Sequence, residues 1–106
     1  MSEWTPFEDG DSLGTKGSEG GTILIDLEHP EGARITLERG GGVAPFSITC
    51  GVFGWLTHTR FFAGSDEATG ALAEMLSPLA QLSAEVRLGP RSSSAEATEA
   101  FVRRFP

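Results

Sequence analysis

Apolar and polar residues alternate over positions 22–29 (TILIDLEH) and again over 33–39 (ARITLER), the period-two signature of half-buried strands. Between them, Pro30-Glu31-Gly32 fits a three-residue hairpin loop with glycine at the left-handed position. This loop sets Leu27 against Ile35 and Ile25 against Leu37, with Ile23 alongside, on a core face. On the reverse face Glu28 meets Arg34, Asp26 meets Thr36 and Leu24 meets Glu38. The opposite charges of Glu28 and Arg34 favour that register.

A second hairpin is written into PFSITCGVFGWLTHTRFFA, residues 45–63, where β-branched and aromatic residues cluster on either side of Gly54. A loop at Phe53-Gly54 pairs Val52 with Trp55, Cys50 with Thr57, Ile48 with Thr59 and Phe46 with Phe61, all on the core face. Ser47, Thr49 and Gly51 then lie outward, opposite Arg60, His58 and Leu56, with Phe62 beyond. This facing depends on loop length. An odd-numbered loop or a bulge turns one strand over, and Phe53 is poorly suited to the positive φ of a type I′ turn. Gly40-Gly41-Gly42 reads as the connector between the two hairpins.

The period then changes. Ala68, Leu72, Met75, Leu76 and Leu79 recur at helical spacing, after Ser65 as N-cap and with Asp66 and Glu67 in the first turn, where the helix dipole favours acids. A helix over 65–82 is expected to cover the core face of the sheet. Pro78 must kink it or begin a new turn capped by Ser77. Residues 84–88 (AEVRL) leave room for a short fifth strand. Ser93 with Glu96 has capping-box spacing and opens a short C-terminal helix that packs through Phe101 and Phe105. The expected fold is therefore α+β: a four-stranded antiparallel meander with one main helix on one face.

Charge divides the chain. Its 106 residues carry 15 acids and 8 bases, for a net charge of −7. Residues 1–21 hold five of those acids against Lys16 alone, in a Gly/Ser-rich context that reads as a flexible acidic lead-in to a single domain over 22–106. Within it, Trp4 and Phe7 are the two apolar islands, suited to docking on the sheet or on a partner. The acidity argues against a nucleic-acid partner, whose phosphates are bound by neutralising Lys and Arg. A single cysteine excludes an intrachain disulfide. No apolar run approaches a membrane span, and no signal-peptide core opens the chain. A cytoplasmic, bacterial-type protein with no membrane partner is the expectation.

Candidate chemistry is sparse. A cysteine nucleophile needs a nearby base; the candidates are Cys50 with His58 or His29, and the expected register turns Cys50 inward and His58 outward. No CxxC or HxxxH spacing marks a metal site, and no cofactor is implied. The stretch GTKGSEGG (14–21) lacks phosphate-loop spacing and precedes a strand instead of joining a strand to a helix. The constellation singled out is the outward hairpin face: Thr49, Leu56, His58, Arg60 and Phe62, with Ser47. His58 and Arg60 suit an anion or carboxylate, and Leu56 and Phe62 add apolar contact. The leading expectation is a non-catalytic interaction module, a homodimer or a binder of another protein, whose acidity suits a basic partner. A small-ligand domain anchored on His58 and Arg60 is the second reading, and an enzyme the third.

Overall fold

A computed structural model describes residues 3–106; residues 1 and 2 of the expected lead-in lie outside them. Five antiparallel strands follow one another in space as in sequence: β1 (Thr5–Pro6), β2 (Thr22–His29), β3 (Ala33–Arg39), β4 (Phe46–Val52) and β5 (Leu56–Phe62). Two helices, α1 (Ser65–Leu88) and α2 (Arg91–Arg104), complete an α+β fold. No helix among the described residues is long and apolar enough to cross a membrane.

The first hairpin forms around Gly32, which takes φ +100°, and pairs Leu27 with Ile35, Glu28 with Arg34 and Ile25 with Leu37, as its alternation requires. The register slips between Ile23 and Ile25, so that Ile23 and not Leu24 meets Glu38. This bulge turns Ile23 onto the face opposite the helices, where it is buried. The cause is the preceding segment, which pairs with the outer edge of β2: Gly14 N–H donates to Ile23 O and Ile23 N–H to Thr15 O, both at 2.9 Å.

The core joins β3 and β4 to the helices through Ile35, Leu37, Ile48, Leu72, Met75 and Leu79, all buried. Helix α1 continues through Pro78 to Leu88, so residues 84–88 are helical and the fifth strand is Thr5–Pro6. A proline inside a helix costs roughly 3 kcal/mol. Burying Leu79 and Leu82 beyond it returns about 1.5–3 kcal/mol each, enough to hold the helix across the break. Its far end clamps the first hairpin loop. Ser83 Oγ donates to Glu31 O, and Arg87 Nε sits 2.7 Å from Glu31 Oε2. Helix α2 lies against α1 and reaches the core through Phe101 and Phe105.

The segment read as a flexible lead-in is laid along the β2 edge as a strap. Its two aromatics straddle that edge. Trp4 meets the His29 ring edge-on at 5.2 Å and packs against the core cluster, while the Phe7 ring lies 3.5 Å from the Arg34 guanidinium carbon on the other face. The strap then folds over Glu38, a buried carboxylate that accepts hydrogen bonds from Glu19 N–H and, at 3.0 Å, from Gly21 N–H. A Cβ at Gly17 would lie 2.3 Å from the Glu38 carboxyl carbon, so the buried, hydrogen-bonded carboxylate would have to shift to admit one. Gly17→Ala is therefore expected to destabilise the strap by roughly 1–3 kcal/mol. Hydrogen exchange should show faster amides at Glu19 and Gly21, with the β3 and β4 amides unchanged.

Candidate functional site

The second hairpin closes with three loop residues, not two. Phe53 stays out of the left-handed region and Gly54 alone enters it, at φ +71°. Phe46 consequently pairs with Phe62, Ile48 with Arg60, Cys50 with His58 and Val52 with Leu56. The odd loop turns β5 over, and the outward constellation divides. Ser47 and Thr49 face away from the helices, whereas Leu56, His58, Arg60 and Phe62 share the face of Cys50 and lie toward them.

There His58 and Arg60 are already engaged. His58 Nε2 donates to Phe105 O at 2.6 Å. Arg60 Nε donates to Pro106 O at 3.1 Å, and its Nη1 reaches Met75 Sδ at 3.2 Å. Together they bind the main chain after α2 and seat Phe105 beneath the sheet. Cys50 and His58 are cross-strand neighbours on one face, contrary to the two-loop-residue register. Burial pushes the Cys50 thiol up to about 11, against the lowering charge of Arg60, so it stays a thiol at neutral pH. The Cys50 thiol is expected to resist alkylation at neutral pH in the folded chain and to react promptly once denatured. Rapid native alkylation, read by mass spectrometry, would contradict that burial.

The face away from the helices is a polar grid. Across the strands run Glu28, Arg34, Gly51 and Thr57; then Asp26, Thr36, Thr49 and Thr59; then Ile23, Glu38, Ser47 and Phe61. The strap covers its β2 side. Past the strap lies a hollow of about 330 Å³, whose lining includes Lys16, Arg34, Thr36, Thr49, Gly51 and Thr57. Gly51 opens its floor by contributing no side chain between Arg34 and Thr57. Sequence alternation missed this site because the open-face threonines of β5 were placed on the core side. Alternation carries no signal that separates the two sets, because His58-x-Arg60 is no more apolar than Thr57-x-Thr59.

Arg34 is held rigidly at the edge of the hollow. Its Nε donates to Asp26 Oδ1 at 2.9 Å and its Nη2 to Asp26 Oδ2 at 2.7 Å, replacing the expected Glu28 partner. Asp26 also accepts from Ser12 Oγ at 2.8 Å and Thr36 Oγ1 at 3.1 Å. Burial pushes the Asp26 carboxyl up, but the hydrogen bonds from Arg34 and Ser12, the Arg34 charge and Thr36 outweigh it and hold it below its ordinary value. The sheet's two edges differ. Residues 5–6 and 14–16 occupy that of β2, whereas β5 pairs with β4 on one side only.

Among the described residues, no group of three or more His, Cys, Asp or Glu side chains could hold a metal ion. No family model, curated protein or solved structure matches the chain.

Because the folded carboxyl of Asp26 titrates below the unfolded one, its contribution to stability is present above about pH 4 and is lost as pH falls through the folded value. Asp26→Asn should cost roughly 1.5–3 kcal/mol at neutral pH. Denaturant titrations of the variant below pH 4 should lack the part of the acid-induced loss that Asp26 contributes in the parent.

Proposed function

We propose that this chain is a non-catalytic interaction module whose docking element is the open edge of β5, with a second copy of the chain as the strand donor. The observation that carries the reading is the unequal treatment of the two sheet edges. An unpaired strand presents a row of main-chain donors and acceptors, and proteins that must stay apart usually block it. Here one edge is covered by the chain's own strap. The other, seven residues long, carries no proline or lysine, and its one formal charge, Arg60, is turned under the sheet and bound to Pro106 O. Such an edge accepts an added strand by main-chain hydrogen bonding.

Antiparallel self-pairing centred on Thr59 suits the side chains. It sets Thr57 opposite Phe61, which is 44% exposed, on the open face, and Leu56 opposite Phe62 on the other. Charge supports the same geometry. Residues 3–28 hold seven acids and one base, whereas β5 and α2 together hold four arginines and two glutamates. Joining β5 edges keeps the acidic ends farthest apart, so a net charge of −7 opposes association least there. The acidic ends stay outward, where they suit a basic partner. The alternative of an anion anchored on His58 and Arg60 is less favoured, because both side chains hold main-chain oxygens of the same chain.

Light scattering should give a dimer that Thr57→Lys with Phe61→Lys converts to a monomer of unchanged circular dichroism. A parent that is monomeric at every concentration overturns self-pairing. Phe62→Asp should behave differently: its side chain faces the core, so the variant loses stability by roughly 2–4 kcal/mol instead of changing association alone.

A further inference from the structure

The geometry points to the hollow on the open face as a binding site for a small phosphorylated molecule, with Lys16 and Arg34 as the anion-binding groups. The first support is local charge. In a chain with 15 acids and 8 bases, the charged residues lining this hollow are two cations, and no acid lines it. The two carboxylates beneath it are withdrawn from any ligand. The Asp26 side chain is fully buried, and its oxygens accept from Arg34, Ser12 and Thr36. Glu38 is 1% exposed and faces the N–H groups of Glu19 and Gly21. An arriving anion therefore meets donors and cations, with the opposing charges shielded below.

The second support is the directions from which donors come. Planar carboxylates are recognised by the two-pronged edge of arginine, and Arg34 has given its Nε and Nη2 edge to Asp26. Nη1 remains on a guanidinium held in place by Asp26 and Phe7, with its side chain 45% exposed. Lys16 approaches from the strap as an exposed point charge on a four-carbon stem and makes no ion pair among the described residues. The hydroxyls of Ser18, Thr49 and Thr57 also line it, with Ile23 as an apolar wall. Donors arriving from separate elements suit the four oxygens of a tetrahedral oxyanion better than the two of a carboxylate. At about 330 Å³ the hollow exceeds phosphate alone, and the hydroxyls of Thr49 and Thr57 beside the apolar Ile23 suit a body such as a sugar, which presents both hydroxyls and C–H faces.

The stretch 14–21 thus contributes side chains, not a phosphate loop. Its main-chain donors at Glu19 and Gly21 already hold Glu38. Its two cations come from the strap and from β3, so the site does not require strand pairing at β5, although Thr57 borders both surfaces.

The test is two-dimensional amide NMR of the full chain titrated with inorganic phosphate, and separately with glucose 6-phosphate, at constant ionic strength held with sodium chloride. Saturable shifts are expected at Gly17, Ser18 and Gly51, with glucose 6-phosphate binding more tightly than phosphate. Lys16→Gln should weaken both by about tenfold or more, and Thr57→Val by a smaller factor. Both residues are exposed, so the variants retain the parent spectrum elsewhere. Acetate should bind at least about tenfold more weakly than phosphate. Non-saturating shifts, shifts centred on Arg103 and Arg104, or affinity unchanged in Lys16→Gln would each overturn the site. Acetate binding as tightly as phosphate would overturn the ligand class.

Discussion

What each face of β5 presents, to the helices and to solvent, depends on one backbone constraint at the tip of the second hairpin. A two-residue type I′ turn demands positive φ at both loop positions, and Phe53 does not provide it. Gly54 does, so the loop takes a third residue, and strand parity carries that single residue through all of β5. Side chains alternate with a period of two, so no intermediate outcome exists. Either His58 and Arg60 face solvent, or they face the helices. Once they face the helices, they meet the main chain that follows α2, and Thr57, Thr59 and Phe61 become the outer surface.

The β2–β3 part of the same open face is organised by buried carboxylates. Asp26 and Glu38 sit on the open face of β2 and β3, where an unpaired charge would be costly. Each is satisfied by the strap: Asp26 through Ser12, beside Arg34, and Glu38 through main-chain N–H groups. The same contacts order the strap and shield two negative charges from the hollow. The strap crosses the edge through a turn in which Glu8 and Asp9 both take left-handed φ, a conformation costing on the order of 1 kcal/mol or more each. Phe7 on Arg34 and Trp4 on His29 lie to either side of the β2 edge and supply the packing that offsets it.

A meander has a further consequence for charge. Neighbours in sequence are neighbours in space, so an acidic beginning and a more basic end become the two ends of the sheet. This polarity sets apart an acidic edge covered by the strap and an open edge near the arginines of α2. The hollow lies between them, bordered by residues from both the strap and the central strands.

Local patterns alone determined the elements. Alternation marked four strands, Gly32 set the first loop, and the Ala68–Leu79 stripe marked the main helix and the face it covers. Each of these is decided by neighbours a few residues away. Tertiary structure decided the rest. Helix α1 continues through Pro78 because Leu79 and Leu82 are buried beyond it, an energy that no local propensity contains. Ile23 changes face because the strap takes the edge of β2. The parity of β5 was undetermined in sequence for a specific reason. Leu56, His58, Arg60 and Phe62 form one alternating set, and Trp55, Thr57, Thr59 and Phe61 form the other. Each mixes apolar ends with a polar middle, so either could be read as the core face. The loop geometry and the groups waiting after α2 selected between them, and with that choice took His58 and Arg60 off the open face, where Arg34 and Lys16 line the hollow.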